Sequence, residues 1–159
     1  VAAVVTAIVV LVSSSGRDPG LRDRPAPEIA GTTLDGRSVS LEEFRGRPLI
    51  VNFWGPSCVP CRDEFPLFLA KLAEHADDGL AILGVLNKDP PEPARAFADA
   101  LGATWPTVLD PDERFARAYR VLGRPQTYFV DEDGVLRSIQ IGEVREDAFD
   151  RQYAAIAPG

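Results

Sequence analysis

Histidine occurs once in the 159 residues and cysteine only twice. A single imidazole excludes any site built on two or more histidines. Two cysteines exclude a disulfide-dense scaffold. Positive charge is in deficit, with 17 Lys and Arg against 24 Asp and Glu and a net charge of −7. Such a chain repels a phosphate backbone, which argues against nucleic-acid binding. Its longest apolar run, VAAVVTAIVVLV at residues 1–12, falls short of the roughly 20 residues of a bilayer-crossing helix. What is there is an ordinary globular balance, 45% hydrophobic and 26% charged. That composition buries a real core, and the length suits one domain.

The run 1–12 reads as the end of a membrane anchor or signal segment. Residues 13–27 carry Ser13-Ser14-Ser15-Gly16, Pro19, Gly20, Pro25 and Pro27, the composition of a linker. The expected organisation is therefore a domain over 28–159, held off a membrane on its extracytoplasmic side.

Within that domain, Asp35-Gly36 between β-prone residues predicts a hairpin over 29–40. Ser40-Leu41-Glu42-Glu43 has the pattern of a capping box and starts a short helix. Leu49 to Trp54 is a short apolar run, read as a buried strand. A helix is predicted over about 58–76, kinked at Pro66. Strands follow at 80–86, 107–109, 126–130 and 135–141, with helices at 94–101, from Asp112 to Tyr119, and at 146–157. Helices placed between strands imply parallel pairing, and the tight turn at 131–134 an antiparallel hairpin. The fold class is α/β, a central mixed sheet flanked by helices. Asp110-x-Asp112 and Asp131-x-Asp133 sit at turns, where Asp serves as a cap, so no metal is expected at either. His75 reads as a solvated residue near a helix C-terminus.

Cys58-Val59-Pro60-Cys61 is the strong chemical signal. It follows a buried strand and opens a helix. Unpaired N–H groups and the helix dipole favour negative charge there, and so a Cys58 thiolate, the nucleophilic form. Two intervening residues bring Cys61 one turn later, within reach of Cys58. Cys58 is then suited to attack a disulfide and Cys61 to resolve the mixed disulfide. Pro60 suits a first helical turn. Zinc needs four ligands, and this chain offers two Cys and one His. A purely structural disulfide across so small a loop adds little stability.

The segment Asn52-Phe53-Trp54-Gly55-Pro56-Ser57-Cys58-Val59-Pro60-Cys61-Arg62-Asp63-Glu64-Phe65-Pro66 resembles the active-site segment of thioredoxin-like proteins. It is most similar to the membrane-anchored, extracytoplasmic TlpA/ResA/CcmG group of the redoxin (AhpC/TSA) superfamily. The resemblance continues through Tyr119-Arg120-Val121-Leu122-Gly123-Arg124-Pro125-Gln126-Thr127 and covers roughly 25–157. It implies a thioredoxin-like fold with an N-terminal β-hairpin extension. It also implies that Pro125 is a cis-proline facing the dithiol, with residue 124 free to pair with a substrate strand.

By that resemblance, Cys58, Cys61, Pro125 and Asp89 are the catalytic candidates. Trp54, Ser57, Arg124 and Gln126 are the substrate-binding candidates. Asp89 is either a proton-shuttling carboxylate beside the dithiol or part of a solvated Asn87-Lys88-Asp89 turn. Arg124 either stabilises the Cys58 thiolate and raises the reduction potential or points to solvent. Glu64 matches a family position but reads as a helix-surface charge. Glu143 matches another position where relatives carry an acid. Two residues depart from the pattern: Ser57 replaces an aromatic, and Arg124 replaces a small or β-branched residue.

The implied activity is that of a thiol–disulfide oxidoreductase, acting as a protein disulfide reductase in the bacterial cell envelope. Its only redox group is the Cys58–Cys61 pair, with no further cofactor. The implied partners are protein disulfide clients, apocytochrome c among them, and a membrane thiol transporter of the CcdA/DsbD type as electron donor. Two other readings stand beside it. In a redoxin-type thiol peroxidase, Pro-x-x-x-Thr/Ser-x-x-Cys precedes the reactive thiol, but here those positions hold Val51 and Gly55. A non-enzymatic thioredoxin-like binding module is the third.

Overall fold

The structure, a computed structural model, describes residues 20–159. The run 1–12 and the linker up to residue 19 lie outside the described residues. Among the described residues, no helix is long and apolar enough to cross a membrane.

The strands are β1 (Arg24–Pro25), β2 (Ala30–Thr32), β3 (Ser38–Ser40), β4 (Leu49–Trp54), β5 (Ala81–Asn87), β6 (Thr107–Asp110), β7 (Gln126–Val130) and β8 (Val135–Ile141). The α-helices are α1 (Val59–Glu74), α2 (Pro91–Leu101), α3 (Arg114–Ala118) and α4 (Glu146–Tyr153). Six strands make one sheet in the order β1-β8-β7-β4-β5-β6, and β2 with β3 forms a separate hairpin. β4 pairs parallel with β5, and β5 with β6, while β4–β7, β7–β8 and β1–β8 are antiparallel. This is the mixed sheet of a thioredoxin-like fold.

β4 is buried at every position. Its side chains alternate between two cores, as the pleat requires. Leu49, Val51 and Phe53 face the hairpin and α3, packing with Ile29, Val39 and Phe115. Ile50 faces α1 and α4, with Phe68, Phe149 and Tyr153. Apolar cover on both faces is why the strand reads as an unbroken hydrophobic run.

Register then fixes where the site is. Phe53 is opposite Gln126, and Trp54 is opposite Leu86. The turn leaving β4, the loop leaving β5 and the loop approaching β7 therefore meet at one end of the sheet, outside the carboxyl ends of the parallel strands.

Several boundaries differ from the sequence expectation. Arg24–Pro25 lies in the expected linker but pairs with Leu136 and Val135 at the sheet edge. An edge strand tolerates proline, so its composition conceals it. α2 starts at Pro91, not at 94, because its prolines occupy the cap and first turn. Asp112 does not cap α3: the Asp110 carboxylate accepts the Phe115 and Ala116 N–H groups at 3.0 and 2.9 Å. α4 ends at Tyr153, short of 157. His75 is packed, not solvated. Its ring lies 3.9 Å from that of Tyr153, and Nδ1 is 3.0 Å from the Asp78 carboxylate.

Candidate active site

Cys58 is the N-cap of α1, in extended backbone conformation, and Pro60 lies in the first turn. Cys58 and Cys61 are joined by a disulfide, so the structure shows the oxidised pair. The Cys61 N–H donates to Cys58 Sγ at 3.3 Å. This is one of the orphan N–H groups of a helix start, pointed at the sulfur that would carry negative charge. The two cysteines differ in access. Cys58 is half-buried, while Cys61 is fully buried against Trp54 and Phe65. Only Cys58 is open to an incoming sulfur.

Glu64 departs from the surface position expected for it. It is 1% exposed. One helical turn after Cys61, it shares the inward stripe of α1. Its Oε1 accepts from Asn52 Nδ2 at 2.8 Å and its Oε2 from the Val144 N–H at 3.0 Å. Burial pushes its carboxyl up to about 8, against the two hydrogen bonds, and nearby Glu143 adds to the rise. Its helical position alone does not mark it as buried. A weak signal was available in Asn52, a polar residue inside an apolar strand that needs a partner.

Asp89 and Arg124 come together with Ser57. The Ser57 N–H donates to Asp89 Oδ2 at 2.9 Å, and the Ser57 hydroxyl donates to Asp89 Oδ1 at 2.7 Å. Arg124 Nη1 lies 3.2 Å from Asp89 Oδ2, and Nη2 donates to Ser57 Oγ at 3.2 Å. Arg124 also donates to the Asn87 carbonyl. Asp89 is thus neither a solvated turn residue nor an unengaged base. Burial acts to raise its carboxyl, but the Ser57 hydrogen bonds and the Arg124 guanidinium together hold it below the ordinary value. Gly55 is required beneath this cluster, because a Cβ there would collide with Arg124 and Asp89. The Arg124–Pro125 peptide bond is cis, and the Pro125 carbonyl accepts from the Gly142 N–H at 2.9 Å.

Two candidates for substrate contact are displaced. Trp54 is fully buried, with its ring 4.6 Å from Phe65. The alternation of β4 turns it under α1, so it backs Cys61 from below. Gln126 is also fully buried. Its Oε1 accepts from the Leu122 N–H at 2.9 Å and its Nε2 donates to the Tyr128 hydroxyl at 2.6 Å. Gln126 therefore shapes the loop before Pro125 from inside. Ser57 and Arg124 remain at the surface of the site.

A family model described as the AhpC/TSA family matches residues 23–139. "Thiol-disulfide oxidoreductase ResA" of Geobacillus kaustophilus is 31% identical over 133 residues, covering 84% of this chain and 76% of that protein. "Thioredoxin-like protein YneN" of Bacillus subtilis is 31% identical over 142 residues, covering 87% of this chain and 82% of that protein. Among solved structures, a "putative Thiol:disulfide interchange protein DsbE" from Chlorobium tepidum is similar, with a TM-score of 0.77. It is 26% identical and covers 85% of this chain and 96% of that one. The matches span the sheet and the dithiol turn together, so the chain belongs to the AhpC/TSA family, as a thiol–disulfide oxidoreductase of thioredoxin-like fold.

Proposed function

We propose that the protein is a membrane-tethered, extracytoplasmic disulfide reductase that works through Cys58 and Cys61. The observation that carries this reading is the asymmetry of the pair. The half-buried sulfur sits at a helix N-cap, and its partner is sealed beneath it.

In the reduced protein, the Cys58 thiolate attacks one sulfur of a client disulfide. A Cys58–client disulfide forms, and the second client sulfur leaves and takes a proton from solvent. Cys61 then attacks Cys58 Sγ. The Cys58–Cys61 bond forms, the client bond breaks, and the first client sulfur leaves as a thiol after protonation. Two electrons pass from the dithiol to the client. Glu64 accepts the Cys61 proton as that thiol becomes a nucleophile. The oxidised pair is the product of this step; burial holds the Glu64 carboxyl up at about 8, so the ionised form that takes the proton grows as pH rises towards that value. Asp89, held low and occupied by Ser57 and Arg124, is suited to positioning rather than to proton transfer.

The apolar run 1–12 supports an envelope location and a tether. The names ResA and DsbE support protein disulfides as substrates. By the family resemblance, the proposed client is apocytochrome c, with electrons drawn from a membrane thiol transporter of the CcdA/DsbD type. A peroxidase reading meets an obstacle at Gly55, where a side-chain hydroxyl has no room.

The test is insulin-disulfide reduction set against peroxide consumption. Dithiol-dependent insulin reduction that is lost in Cys58→Ser is the expected result. Robust peroxide turnover without insulin reduction contradicts the proposal.

A further inference from the structure

Beside Cys58 lies a cleft of about 750 Å³ whose charge is opposite to that of the protein. Lys88, Arg117, Arg120 and Arg124 line it, against the single carboxylate of Glu113. The whole chain carries a net charge of −7. Arg124 is matched by Asp89, and Lys88 lies 3.4 Å from Glu113. Arg117 Nη1 donates to the Asp112 carbonyl at 2.7 Å, a neutral partner, and Arg117 makes no ion pair among the described residues. A concave wall of one sign focuses the field on its contents.

The backbone of the cleft points the same way. Lys88, Glu113 and Arg120 have φ of 69°, 56° and 54°. The left-handed region favours glycine, so charged side chains here are held at a conformational cost. Such residues cluster where function fixes a side chain in place. The rim adds apolar contact. Leu122, which lines the cleft, is 65% exposed.

We propose that this cleft binds the stretch of the client that bears acidic side chains next to its disulfide-bonded cysteine. The inference rests on the disulfide-reductase reading and names its substrate class. When Cys58 forms the mixed disulfide, the client residues flanking the attached cysteine must cross this cleft. Aspartate or glutamate there meets Arg117 and Lys88, and an aliphatic neighbour meets Leu122.

The experiment uses the full chain and three synthetic peptides with the same internal disulfide, flanked by Glu, Gln or Lys. Glutathione disulfide and insulin are run alongside. At low ionic strength the Glu peptide is reduced about tenfold faster than the Gln peptide, and added salt removes the difference. In the double variant Lys88→Glu, Arg117→Glu the order reverses to favour the Lys peptide. In Lys88→Gln, Arg117→Gln the preference disappears. Equal rates on all three peptides, or a Glu preference unchanged in both variants, overturn the proposal while leaving the reductase intact. Glutathione disulfide reduced faster than every peptide also overturns it, and assigns the cleft to a small anionic thiol. Loss of all exchange, insulin included, overturns the reductase reading and this inference with it.

Discussion

Arg124 and Asp89 form an ion pair of 3.2 Å directly over Gly55, with side chains only 16% and 9% exposed. The pair binds three loops into one unit, because Asp89 also holds the Ser57 backbone next to Cys58. An unpaired guanidinium at this place stabilises a thiolate and raises the reduction potential. Paired with Asp89, its charge is largely compensated.

Asp89→Asn therefore makes the dithiol more oxidising. The neutral amide keeps the shape and one acceptor for Ser57 but leaves the Arg124 charge exposed to Cys58. A rise on the order of 30 mV, about 1.4 kcal/mol for two electrons, is expected in a glutathione redox titration. An unchanged potential would show that Arg124 does not act on Cys58.

The two cysteines have unequal roles. Cys58→Ser abolishes disulfide exchange, because no other thiol is accessible. Cys61→Ser retains the attack and loses the resolving step, so the client remains attached as a mixed disulfide, visible on a non-reducing gel. Accumulation of the adduct on Cys61 in Cys58→Ser would reverse the assignment.

Glu64→Gln separates proton transfer from packing. Asn52 Oδ1 has no partner among the described residues, so an amide flip of Asn52 offers it to the N–H of the introduced amide. The fold should survive. Closure of the Cys58–Cys61 bond should slow by about 10²-fold. In the unsubstituted protein the rate of this step rises as pH passes about 8 and Glu64 ionises. The variant lacks that inflection. Stability carries the same signature with a defined sign. The folded carboxyl sits near 8, above its ordinary value of 4.5, so the folded state binds the extra proton between them. Stability is full below about pH 4.5 and is lost as pH rises towards 8. Urea denaturation of Glu64→Gln across this range should show a flatter profile.

Trp54→Ala tests whether that ring supports or recognises. Loss of a fully buried indole costs about 3–5 kcal/mol. Chemical denaturation should show this loss even without substrate. A variant of unchanged stability and raised KM would instead make Trp54 a client contact.

Much of this was legible in the sequence because it is local. The apolar run at 49–54, the dithiol at a helix start and the Asp-Gly turn at 35–36 each declare themselves within a few residues. The misplaced side chains depend on distant partners. Glu64 is buried by Asn52 and by Val144, eighty residues away in the chain. Trp54 and Gln126 lie in segments that touch the site, but which way each points depends on strand alternation and register, which the linear pattern leaves open. β1 was hidden because proline composition is shared by linkers and sheet edges.

The reduction potential of the Cys58–Cys61 pair in a defined thiol redox buffer tests the central claim most directly. A compensated Arg124 and a reducing role predict a value near or below that of thioredoxin, about −270 mV. A value close to about −120 mV would make the protein an oxidant and contradict the account.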